Sequence, residues 1–162
     1  MLEKDSRYSF SRLFLAVIAA MSLLTAFLTM LKVENGMFFA AFIPAEVALQ
    51  SVYRLDAFYS DAVFLVLCFG LILLYYVCYV LARKNKTWLL VGFFLYLIDT
   101  ACMVHYIVYA GINSSWIIEL VIHAAVLIIL LYGYFRACKL EKIERQKAAE
   151  EKYIMEFTVS DD

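Results

Sequence analysis

The chain has 162 residues, ordinarily enough for one domain, but 65% of them are hydrophobic where a soluble domain has roughly 45–50%. Charged residues make up 18%, the formal net charge is -1, mean hydropathy is +0.82, and one proline and five glycines leave little for turns. These values exclude a disordered chain, a collagen-like chain and a small disulfide scaffold, supply no overall basic field for nucleic acid, and point to an integral membrane protein.

Four hydrophobic stretches follow in chain order. Residues 13–31 and 62–82 carry no charge; 87–110 is interrupted only by Asp99 and His105, and 116–135 only by Glu119 and His123. Each reaches about 20 residues, which at 1.5 Å per residue spans a ~30 Å hydrocarbon core. The runs are continuous rather than alternating, so helices are expected and a barrel is not. The expected fold is therefore all-α: a four-transmembrane-helix antiparallel bundle over residues 1–138, followed by a charged cytoplasmic tail over 139–162.

Lys4, Arg7 and Arg12 precede the first stretch; Arg83, Lys84 and Lys86 link the second and third; Arg136, Lys139, Lys142, Arg145, Lys147 and Lys152 follow the fourth. The first connection holds only Lys32 and Arg54 and the third has neither lysine nor arginine, so the positive-inside rule puts both termini in the cytoplasm. The basic start and apolar run of the first stretch resemble a signal peptide. Its length, and the want of a small-residue cleavage site before Lys32, favour an uncleaved helix.

The outer connection is itself apolar. Around 36–58, Met37 to Ile43 leads into Pro44, which suits the first turn of a helix, and Glu46, which suits its positive end. A short amphipathic helix on or dipping into the outer leaflet is expected, either as an interfacial connector or as a lid over the bundle mouth. Beyond the fourth stretch, Lys139 to Lys152 is rich in helix formers, with Glu141 and Arg145 spaced for an i,i+4 pair. That helix is expected to continue into the cytosol, as a solvated extension or as a docking element tipped by Tyr153 to Phe157.

Cys68, Cys78 and Cys102 lie inside stretches and Cys138 just beyond the last. They form no Cys-x-x-Cys pair and no zinc spacing, and read as small packing residues; Cys138, beside a basic run, is also a candidate for acylation. No serine or cysteine has an evident base and oxyanion site, so nothing marks an enzyme.

The ionisable residues at membrane depth are the candidates for function. Counted from Gly111, His105 lies about 9 Å down and Asp99 about 18 Å; from Trp116, Glu119 lies about 4–5 Å down and His123 about 10 Å. Asp99, His105, Glu119 and His123, with Tyr106 and Tyr109, are thus expected to converge in the outer half of the bundle. Ser11, Ser22, Thr25 and Thr29 share a face of the first helix, and Asp61, Cys68, Tyr75 and Tyr79 a face of the second. Such a cluster could bind a proton, ion or small ligand, or lock the helices together. His105, His123 and Glu119 could also hold a divalent metal, and the two histidines a haem. Expected partners are lipid and a protein, either a second copy or another subunit.

The segments Lys86-Thr87-Trp88-Leu89-Leu90, Tyr96-Leu97-Ile98-Asp99-Thr100 and Ile122-His123-Ala124-Ala125-Val126-Leu127 resemble small four-span bacterial membrane proteins of uncharacterised function. The resemblance covers the second half of the chain. It implies a bacterial plasma membrane and no mechanism.

Overall fold

The computed structural model describes residues 9–31, 40–53, 58–111 and 114–159, although the side chains of 9, 50–53, 58–62, 64, 110, 152 and 154–159 lie outside the description. Lys4, Arg7, Lys32, Arg54, the side chain of Asp61 and the apolar tip Ile154 to Phe157 therefore fall outside it. Among the described residues all regular structure is helical. The helices are α1 (Ser9–Met30), α2 (Phe42–Tyr53), α3 (Phe58–Leu81), α4 (Thr87–Ala110) and α5 (Ser114–Val159). Those of α1, α4 and α5 are long and apolar enough to cross a membrane, which makes this a multi-pass helical membrane protein. In α3, a helix of 24 residues, the described apolar stretch is Leu65–Leu81.

Packing follows small residues and heptad spacing. In α5 the buried positions are Glu119, His123, Val126, Leu130, Gly133 and Ala137, alternating steps of four and three as in a knobs-into-holes seam. This seam faces α4 and α1. At Gly133 an added Cβ would stand 2.2 Å from the Cβ of Ser11, so glycine permits the closest approach of α5 to α1. The buried side of α1 is Ser11, Leu15, Ile18, Ser22 and Ala26, and that of α3 includes Cys68, Ile72, Tyr75 and Cys78. Of the faces read from the sequence, Ser11, Ser22, Cys68 and Tyr75 are buried, whereas Thr25, Thr29 and Tyr79 are half-buried.

The short α3–α4 link closes by backbone bonds from Arg83 to Val80 and from Asn85 to Leu81, and the Asn85 side chain accepts the Thr87 N–H. At this end Lys86 pairs with Glu141 of α5, which also accepts a bond from Arg145 at 2.9 Å. Burial is slight, so opposite charge dominates: hydrogen bonding to Lys86, then Arg145, holds the Glu141 carboxyl below its usual range, while the Glu141 hydrogen bond holds Lys86 above its own. The 46 residues of α5, about 69 Å of helix, exceed one ~30 Å crossing by about 40 Å. At the other end Gly111, with φ of 91°, stops α4 and donates its N–H to Ile107.

The helix α2 departs from an interfacial lid or connector. Pro44 does sit in its first turn, but Ala41, Ala45 and Ala48 are fully buried, and α2 packs against α1, α3 and α4. Its first turn meets Asp99, halfway along the 24-residue α4. Alanines let the backbone of this short helix enter the core, where a polar N-terminus requires partners.

Candidate functional site

Those partners account for every donor at the start of α2. The Ala41 N–H donates to Ser22 Oγ on α1 at 2.9 Å. The Phe42 and Ile43 N–H groups donate to Asp99 Oδ2 and Oδ1, each at 2.7 Å. Pro44 has no N–H to satisfy, and Ala45 bonds back to the Ala41 carbonyl at 3.4 Å. A carboxylate at this end also meets the positive pole of the helix. The Pro44 carbonyl accepts the Cys68 thiol from α3 at 3.3 Å, so three helices grip one turn.

Asp99 faces a second group. His123 Nε2 lies 3.6 Å from Asp99 Oδ2, and both residues are 1% exposed. The other ring nitrogen, Nδ1, lies 2.9 Å from the Glu119 backbone carbonyl one turn away. Tyr96 of α4 stacks on the imidazole at 4.8 Å with the rings 10° from parallel, and the edge of Tyr75 from α3 meets Tyr96 at 6.4 Å. His123 Nε2 and the Tyr96 hydroxyl are buried without a hydrogen-bond partner. Buried polar atoms are rarely left so, which sets these two, on stacked rings, apart from the rest of the core.

The expected cluster is brought together only in part. Asp99, His123 and the buried Glu119 share the core. His105 is exposed and stands against Tyr109 at 4.8 Å, and Tyr109 is 80% exposed. Tyr106 packs instead with Phe42 and Trp116, each at 5.5 Å, in an aromatic group near the Gly111 end. The buried face of α4 runs through Tyr96, Asp99, Met103 and Ile107, which turns His105 to the opposite side. His105, His123 and Glu119 therefore do not converge as metal ligands, and the two histidines do not face each other across a haem. Among the described residues no three His, Cys, Asp or Glu side chains are placed to hold a metal ion.

Three participants were absent from the sequence reading of the site: the backbone of α2, Ser22 as its ligand, and Tyr96 as the stacking partner. Ser22 and Pro44 were each visible as a polar face and a helix start; what joined them was not. The chain matches no protein-family model, no curated protein and no solved structure.

Proposed function

We propose that this protein is a transport or ligand-sensing component of a bacterial plasma membrane, with four spans, both termini in the cytoplasm, and a polar binding site at His123 and Asp99. The observation that carries this reading is His123 Nε2, a buried atom without a hydrogen-bond partner 3.6 Å from the Asp99 carboxylate, under the stacked ring of Tyr96, whose hydroxyl is also unpartnered. The fourth span is α3, whose 24 residues match the length of α4 and whose apolar part ends at the same basic link. A half-length helix whose N-terminus stops at mid-depth is also a recurrent construction in transporters, where irregular backbone is tolerated because it lines a site.

The test is flux of protons or monovalent cations in proteoliposomes, read with a dye in the lumen, with thermal unfolding measured on the same preparations. Wild-type protein should carry flux, and His123→Ala should lose it while remaining folded and inserted. Loss of flux only in proportion to loss of folded protein would remove the binding site from the proposal.

One observation favours a second reading, an accessory subunit with a structural polar core: both Asp99 oxygens are already engaged by α2. In that case the α5 extension holds a protein partner. Truncation after Lys142 should then leave an inserted chain that no longer co-purifies with it.

A further inference from the structure

We infer that the ligand at His123 is a proton, taken up at Nε2 against the Asp99 carboxylate, and that its presence sets how firmly α2 is held. The inference rests on reading this core as a binding site. The Glu119 carbonyl can only accept, so at 2.9 Å it requires a hydrogen on Nδ1. The neutral ring then points a lone pair from Nε2 toward Asp99 Oδ2, a second acceptor, at 3.6 Å. The other neutral tautomer moves the same conflict to the shorter contact. One additional proton removes it from both.

That proton comes from the aqueous phase and binds the Nε2 lone pair without breaking any bond in the protein. The ring gains one positive charge opposite the one negative charge of Asp99. Each carboxyl oxygen accepts one N–H group at the positive end of α2. The Tyr96 ring, lying flat on the imidazole, suits a cation beneath an aromatic face. Other titratable groups on the surrounding elements are Glu119 on α5, Tyr75 and Cys68 on α3, Glu46 on α2 and Arg12 on α1; Asp99 is the carboxylate at ion-pair distance from Nε2. Coupling to α2 is direct, because Oδ2 both faces Nε2 and accepts the Phe42 N–H. Loss of the proton leaves that oxygen opposed by a lone pair, and the first turn of α2 is held less well.

The experiment is nitrogen-15 NMR of the full-length protein with labelled histidine, over a pH series, with amide hydrogen exchange at Phe42 and Ile43. His123 is assigned by the signal missing in His123→Gln. The expected result is that the exchanging ring proton belongs to Nε2 while Nδ1 keeps its own. After correction for intrinsic base catalysis, the Phe42 and Ile43 amides should exchange on the order of tenfold faster once Nε2 is bare, and this step should vanish in His123→Gln. If that variant does not fold, the wild-type series alone decides. A second proton never seen on His123 between about pH 5 and 8, a titrating proton on Nδ1, or amide exchange equal in both states would each overturn the inference. Flux that persists without a second proton on His123 sinks the proton and leaves the site; a titrating Nε2 without flux sinks the transport reading and leaves the proton.

Discussion

A carboxylate that accepts two backbone N–H groups in a buried turn cannot be removed without stranding both. Leaving a buried donor unsatisfied costs roughly 1–3 kcal/mol; Asp99→Ala strands two, Ser22→Ala one, and Asp99→Asn one while also losing the charge at the positive end of α2. Thermal unfolding in one detergent should therefore rank Asp99→Ala as most destabilising, Asp99→Asn next and Ser22→Ala least. The asparagine keeps one acceptor and turns an NH2 group toward the other N–H, hence its middle place. An Asp99→Ala protein that melts with the wild type would show that α2 is held by its alanines alone. The presence of Asp99 at mid-depth was legible in the sequence, and so was its cost in lipid. Its partner was not, because a backbone N–H leaves no mark in a residue code.

On the scale of single helices, spacing decided what could be read. On α1 the two serines of the expected face, and on α3 Cys68 and Tyr75, are buried, while Thr25, Thr29 and Tyr79 sit at the margin. On α4 the polar markers mislead. Asp99 lies at the edge of two candidate faces; Cys102, Tyr106 and Tyr109 extend one, and Tyr96, Met103 and Ile107 the other. The second is buried, since its side chains fill space against α5 and α2, while tyrosines near a helix end are at home at a membrane interface. His105 follows from that choice.

The α1–α5 contact gives a sharper test. Gly133→Ala should destabilise by about 1–3 kcal/mol, the usual range for overpacking, because the new methyl meets Ser11 close to its backbone. Gly70→Ala on α3 meets nothing within 4 Å and should stabilise by roughly 0.5–1 kcal/mol through helix propensity. Opposite signs in matched melts are the expected outcome; a stabilising Gly133→Ala would mean α5 sits farther from α1.

The charged contact at the opposite end fixes the extension of α5. Glu141, lowered by Lys86 and Arg145, contributes as a carboxylate: its hold is complete above the ordinary carboxylate range and is lost as pH falls through its lowered value. Lys86, raised by Glu141, contributes below the ordinary lysine range and loses its hold as pH rises through its raised value. The contact is thus whole at neutral pH. Both side chains are about one third exposed, so salt screens it. A spin label placed by Gln146→Cys should gain mobility in acid and at about 1 M salt, and Glu141→Gln should give that mobility at neutral pH. Unchanged mobility in all three conditions would detach the extension from this pair.

For the molecule as a whole, long continuous apolar runs made the helical, multi-pass character legible, because lipid leaves the backbone no other solution. Orientation is a separate matter, argued from basic residues alone. A reporter active only in cytosol should work when fused at residue 85 and at the C-terminus and should fail at Asn113. Activity at Asn113 would invert the protein and open its polar core to the other compartment. What the runs could not convey was that α2 is buried in the core, since a buried helix and an interfacial one share the same composition.

The pin at Asp99 has a consequence for how the chain is made. The first turn of α2 is joined to a residue 57 positions later, on a helix that does not yet exist when α2 leaves the ribosome. Twelve residues are too few to cross a bilayer unaided, and the N–H groups of Phe42 and Ile43 have no acceptor in lipid until α4 arrives. Until then the segment belongs at the interface, and α4 carries in the ligand that allows it to sink. Biosynthesis thus has an order built into it: α2 waits at the interface until α4 is threaded, and only then is drawn in.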